Sequence, residues 1–137
     1  MKEPVQLTRI LLYVAMGLYI AGVLALCVIS SESLPQTQPE WFGLPADKVV
    51  HFLMFLPFVP IAYLTFGALG TDKNKRPAIL FIVYFCGLFM AAMTEILQSF
   101  TKDRSAEILD FLADASSLTL GFIIILFILL LKRFKNR

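Results

Sequence analysis

Residues 49–69 read VVHFLMFLPFVPIAYLTFGAL, a run of 21 without aspartate, glutamate, lysine or arginine. A hydrocarbon core about 30 Å thick is crossed by about 20 helical residues rising about 1.5 Å each, so this run is long enough to span a membrane. In lipid no water is available to bond a free N–H or C=O, so a spanning segment satisfies its amides internally, as a helix. That constraint outranks the β-branched and aromatic richness, which favours strands in water. Pro57 and Pro60 each remove a backbone donor, which predicts a kink in this helix.

Three further runs resemble it. Residues 10–29 carry no charge, residues 78–97 carry Glu95 alone, and residues 109–131 carry only Asp110 and Asp114 near their start. With these runs the chain is 58% hydrophobic and 16% charged, against about 45–50% and about 25% in soluble domains. An ordinary soluble fold and a disordered chain are both excluded. Two cysteines are too few for a disulfide scaffold. The sequence therefore predicts an all-α, integral membrane four-helix bundle. It is one domain over residues 1–137, with helices at about 10–29, 49–69, 78–97 and 109–131. The first run exceeds the 7–15 apolar residues of a signal peptide and no A-x-A site follows it, so it is read as an uncleaved anchor. Leu26 before Cys27 is too large for a lipoprotein site. Cys27 and Cys86 lie in apolar runs and read as small hydrophobes, with no disulfide.

The connections set the orientation. Residues 1–9, 70–77 and 132–137 hold nine of the twelve lysines and arginines, and only Lys48, Lys102 and Arg104 lie elsewhere. The positive-inside rule then places both termini in the cytoplasm and loops 30–48 and 98–108 outside. Trp41 falls in the outer loop, where an interfacial aromatic anchor belongs. The basic tail reads as a topology signal and a contact for anionic membrane lipids. The basic residues form no single patch on a soluble surface, so nucleic acid is not expected.

Eight of the ten acids lie on the outer side, among them Asp47, Glu95, Asp110 and Asp114. Ionisable groups inside a span are costly and usually face a bundle interior or a wet cavity. Asp47 reads as the N-cap of the second helix, which puts His51 about one turn in. Glu95 and Gln98 pair at i, i+3 in the last turn of the third. Gly87, Ala91, Glu95 and Gln98 share one stripe, and Asp110, Asp114, Ser117 and Gly121 share another. Each stripe is small toward one end and polar toward the other, which predicts close packing capped by an outward-opening polar pocket. Blander readings stand beside this. His51 serves as a hydrogen-bonded helix-end residue, Glu95 and Arg104 form an ion pair pinning the loop, and Glu32, Glu40, Asp103 and Glu107 are solvated loop charges. Phe52, Phe55 and Phe58 then serve packing and lipid contact. Against decoration alone stands the convergence of several ionisable groups at one depth.

Asp47-Lys48-x-x-His51-Phe52 opening the second helix, Glu95-x-x-Gln98-x-Phe100 closing the third, and Arg104-Ser105-x4-Asp110-x3-Asp114 leading the fourth resemble the VanZ-like family of bacterial membrane proteins, named for a protein associated with teicoplanin resistance. The likeness covers roughly residues 44–131. It departs where Asp114 and Ser117 stand in place of the family's usual asparagine and glycine. The resemblance implies a multi-pass protein of the bacterial cytoplasmic membrane in an envelope and glycopeptide-resistance setting; it implies no particular reaction.

Asp47, Lys48, His51, Glu95, Gln98, Arg104, Ser105, Asp110 and Asp114 are thus the candidate pocket residues. Phosphate loops and nucleophile elbows are absent, and no Cys/His cluster supplies the usual zinc ligands. Glu95, Asp110 and Asp114 with His51 nearby suit a hard cation, and the same groups suit acid–base chemistry. Arg104 and Lys102 suit a phosphate or carboxylate at the rim. The sequence names no cofactor and does not choose among these. Three functions follow. The first, preferred because no complete catalytic constellation is visible, is an envelope protein whose pocket binds a lipid-linked or peptidoglycan-related component. The second is a membrane enzyme acting on such a substrate through His51 and the carboxylates. The third is a transporter subunit working as a homo-oligomer.

Overall fold

The computed structural model describes residues 3–28, 40–41, 43–68, 72–100 and 107–135; Lys102, Arg104 and Ser105 lie outside them. Helix α1 is Glu3–Val28; two short antiparallel strands, β1 Glu40–Trp41 and β2 Leu44–Pro45, precede α2 Ala46–Phe55 and α3 Phe58–Tyr63. A π-helical turn, Leu64–Ala68, and a 3-10 turn, Lys73–Lys75, lead to α4 Arg76–Ser99 and α5 Ile108–Lys135. Among the described residues four segments are long and apolar enough to cross a membrane: Gln6–Cys27, Ala46–Gly67, Lys73–Ser99 and Ile108–Lys135.

Helices α1, α4 and α5 run past the uncharged stretches that announce them. The helical hydrogen-bond ladder does not stop at the first charge. Long basic side chains such as Arg9 and Lys132 reach the headgroup region while their backbone stays helical. The second span behaves differently. The kink expected from its prolines is a full break, with Leu56 and Pro57 in a turn between α2 and α3. Pro57 cannot donate to Leu53 O, nor Pro60 to Leu56 O, so two rungs three residues apart are missing. Tyr19 from α1 donates to Met54 O at 2.7 Å, supplying a side-chain donor beside the break. Thr65 donates to Ile61 O at 2.8 Å where the chain widens into the π turn.

Asp47 is not the N-cap. The helix begins one residue earlier, at Ala46, after Pro45 in an extended conformation (φ −55°, ψ 131°). Proline favours that conformation and ends the strand there, so Asp47 falls inside the first turn, where its charge still complements the helix N-terminus. The hairpin before it turns at Gly43, whose φ of +76° suits glycine. Trp41 in β1 is half exposed.

The bundle centres on α5, packed along α2 and α4, with α3 wedged against α4 and α5. Its core is Phe55, Phe58, Val59, Ala62, Leu80, Val83, Ala91 and Leu118. Gly87 makes the close approach possible: a Cβ there would lie 2.8 Å from Leu118 Cδ2 and 2.9 Å from the Phe58 ring. Helix α1 is peripheral and, among its described apolar side chains, buries only Met16, Val23 and Cys27. Most other large side chains of α1 point outward, as lipid-facing residues do. Neither cysteine is in a disulfide; Cys27 is buried and Cys86 exposed.

Candidate functional site

The two predicted stripes are buried and face the bundle interior. Gly87, Ala91, Glu95 and Gln98 are buried on α4, and Asp110, Asp114, Ser117 and Gly121 on α5. Helix α2 brings Lys48 and His51 to the same end. Three segments far apart in sequence therefore converge where α2 and α5 begin and α4 ends.

Lys48 and His51 organise two adjoining groups. The Lys48 ammonium lies 2.5 Å from Asp110 Oδ1, 2.6 Å from Glu107 Oε2 and 3.0 Å from Asp47 Oδ2. Its three protons thus face three carboxylates. Asp110 Oδ1 is held by the charge of the ammonium rather than by an aligned hydrogen bond. One turn deeper, His51 Nδ1 is 3.2 Å from Asp114 Oδ1 and 3.8 Å from Glu95 Oε1, while Nε2 is 3.8 Å from Asp110 Oδ2. Asp110 therefore touches both groups, one oxygen toward the ammonium and one toward the imidazole. Glu95 Oε2 accepts the Glu107 backbone N–H at 3.1 Å, tying the end of α4 to the start of α5.

His51, Glu95, Asp110 and Asp114 are all buried, Asp114 completely. Burial of a carboxylate is costly unless its oxygens are paired. Glu95 Oε1 and Asp114 Oδ2 are buried and accept no hydrogen bond from the described residues. The hydroxyls nearby are not their donors: Thr94 bonds Ala91 O at 2.7 Å and Ser117 bonds Asp114 O at 2.8 Å, each returning to its own helix.

Of the nine residues expected from sequence, six line this end of the bundle: Asp47, Lys48, His51, Glu95, Asp110 and Asp114. Gln98 is buried one turn beyond Glu95 on the same face. Arg104 and Ser105 lie outside the described residues, and with them the expected ion pair of Glu95 to Arg104. Glu107, read from sequence as a solvated loop charge, is corrected to a ligand of Lys48 whose other edge meets solvent. The signal for it was available: Glu107 precedes Asp110 by three residues, so both fall on one side of the first helical turn. Sequence reasoning also missed Tyr84 and Thr119, whose hydroxyls meet at 3.0 Å between α4 and α5.

An apolar groove of about 520 Å³ runs between α1 and α2, lined by Leu18, Tyr19, Gly22, Val23, Leu53 and Met54 among others. Val50 and Leu26 form part of its lining, beside the first turns of α2.

No curated protein and no solved structure matches the chain. The family model described as VanZ/LLP1 matches residues 6–131, taking in the first three spans, all but the last turn of the fourth, and every residue of both charged groups. The chain is a small multi-pass membrane protein and belongs to the VanZ/LLP1 family.

Proposed function

We propose that the charged end of the bundle faces outward from the bacterial cytoplasmic membrane. There it receives the polar headgroup of a lipid-linked or peptidoglycan-related envelope component and contributes to glycopeptide tolerance. The observation that carries this reading is the convergence of Lys48, His51, Glu95, Asp110 and Asp114 from three helices at one end of a membrane-spanning bundle. Such charge inside spans is expensive to maintain and marks a site by default. The orientation follows from the basic residues, which gather at the opposite end in Lys73, Lys75, Arg76, Lys132, Arg133 and Lys135. The groove between α1 and α2 supports a lipid-linked ligand rather than a free one. Its lining is apolar, and it shares α2 with Lys48 and His51, so an isoprenoid or acyl chain could lie there with its headgroup at the charged end.

The test compares teicoplanin susceptibility in cells carrying the wild type, Glu95→Gln, Asp110→Asn and a lipid-facing control, Phe127→Ala. Amide replacement keeps shape and removes charge. Loss of tolerance in the two amide variants at unchanged membrane abundance, with the control intact, is expected. Full tolerance in both, or loss that tracks disappearance from the membrane, overturns the reading.

A further inference from the structure

We propose that His51, Glu95 and Asp114 form a binding site for one divalent transition-metal ion, of the zinc or manganese type. The proposal goes beyond the headgroup reading, since it needs only these three side chains.

Two groups of acids at this end have the spacing to hold a cation: Asp47, Glu107 and Asp110, and His51, Glu95 and Asp114. The first is already filled by the Lys48 ammonium, which meets all three carboxylates within 3.0 Å. Among the described residues the second has no such occupant. Each of its members offers one ligand atom, and the three atoms lie within 4.8 Å of one another. All three residues are at least nine-tenths buried. Among the described residues Glu95 Oε1 and Asp114 Oδ2 have no hydrogen-bond donor, although the second oxygen of Glu95 is held by the Glu107 N–H and that of Asp114 faces His51 Nδ1. Each carboxylate is therefore oriented by one oxygen and left bare at the other. Bare carboxylate oxygens enclosed within a membrane bundle demand positive charge, and among the described residues the imidazole is the cationic group that reaches both side chains.

The donor set selects the ion. Two carboxylates and an imidazole suit zinc, manganese or iron better than calcium or magnesium, which prefer oxygen alone. The bonding is a replacement. A divalent ion takes the place of the proton between Nδ1 and Asp114, that proton leaves to solvent, and the neutral imidazole with two carboxylates then balances the ion. Nε2 keeps its proton, and Asp110 Oδ2, 3.8 Å away, would need to approach by about 1 Å or somewhat less to accept it and complete the carboxylate–histidine–metal relation that fixes a ligating ring. Tetrahedral bonds of about 2.1 Å place ligand atoms about 3.4 Å apart, so the three side chains draw together by about 1 Å on binding.

His51 is the chain's one histidine, which makes a direct test available. The protein, with any histidine tag removed, is purified in detergent, stripped with chelator, and titrated with Zn²⁺ and with Mn²⁺. About one ion per chain is expected to remain after dialysis. Binding should weaken at least tenfold in Glu95→Gln and Asp114→Asn, and stay within about twofold of wild type in Glu107→Gln, which alters only the lysine-filled group. Pulsed EPR of Mn²⁺ bound to the wild type should show coupling to an imidazole nitrogen. No retained ion, retained Mn²⁺ without nitrogen coupling, or equal weakening in Glu107→Gln would overturn the proposal. The wild-type nitrogen signal decides even where a variant fails to fold. Binding of a polyprenyl diphosphate to the same preparation is measured separately, so that either reading can fail while the other stands.

Discussion

Lys48 and Asp110 meet at 2.5 Å and join the first turn of α2 to the first turn of α5. Both side chains are largely shielded, with 15% and 10% of their surface exposed, so their contact is screened far less than a surface ion pair. Removing one member of a buried pair leaves the other uncompensated, at about 3–5 kcal/mol. After Asp110→Asn the ammonium still faces Asp47 and Glu107, so this change should lower unfolding stability in detergent by only about 1 kcal/mol, well under the figure for a fully uncompensated charge. Lys48→Met with Asp110→Asn should cost at least about 1 kcal/mol less than the sum of the single changes. Strict additivity in this cycle would mean that the two charges do not interact.

Gly87→Ala should destabilise the bundle by about 1–3 kcal/mol through overpacking. The new methyl would meet Leu118 and Phe58, both buried, at 2.8–2.9 Å. Adding Leu118→Val should restore part of the loss by removing one of the two obstacles. At Gly121 a Cβ would meet Pro60 and Val59 at 3.3 Å, so Gly121→Ala should cost less. Thermal unfolding of the four proteins in one detergent tests the ranking, and a neutral Gly87→Ala would show that α4 and α5 are free to separate.

Tyr19→Phe removes the donor to Met54 O and leaves the ring in place. The loss should be about 1 kcal/mol. Because this bond is one of few ties of α1 to the broken span, an engineered disulfide between α1 and α2 should also form more slowly in the variant. Unchanged stability and unchanged cross-linking would show that the carbonyl finds another donor.

The orientation can be read by labelling. In a background of Cys27→Ala and Cys86→Ala, an impermeant maleimide added from outside should modify a cysteine placed at Thr37 and spare one at Asn74. The reverse pattern would put the charged end in the cytoplasm and remove the headgroup reading.

Helix period and helix composition were enough to place the two stripes. Within a span, small and polar residues turn inward together, so the spacing 87, 91, 95, 98 and the spacing 110, 114, 117, 121 each marked a buried face. The same logic failed for α1, because a helix apolar on every side gives no sign of which face meets protein and which meets lipid. It failed also for the second span. Pro57 and Pro60 announced a distortion, but the depth of the break and the π turn after it depend on which donors neighbouring helices can offer, Tyr19 among them. Glu107 escaped because a loop acid is identified as a partner only when the helix start beside it is known to the residue.

The arrangement of the two charged groups also bears on how the protein enters the bilayer. Synthesis delivers Lys48 and His51 first, Glu95 next, and Asp110 with Asp114 last. A lone aspartate at the middle of a helix raises the insertion free energy by about 2.5–3.5 kcal/mol, and α5 carries two in its first two turns. When α5 leaves the ribosome its countercharges already stand in the membrane, so the final helix is drawn to its place by partners that preceded it. A chain truncated before Glu107 would leave Lys48 without two of its three carboxylates and His51 without both of its aspartates, so the charged end is complete only once α5 has joined the bundle.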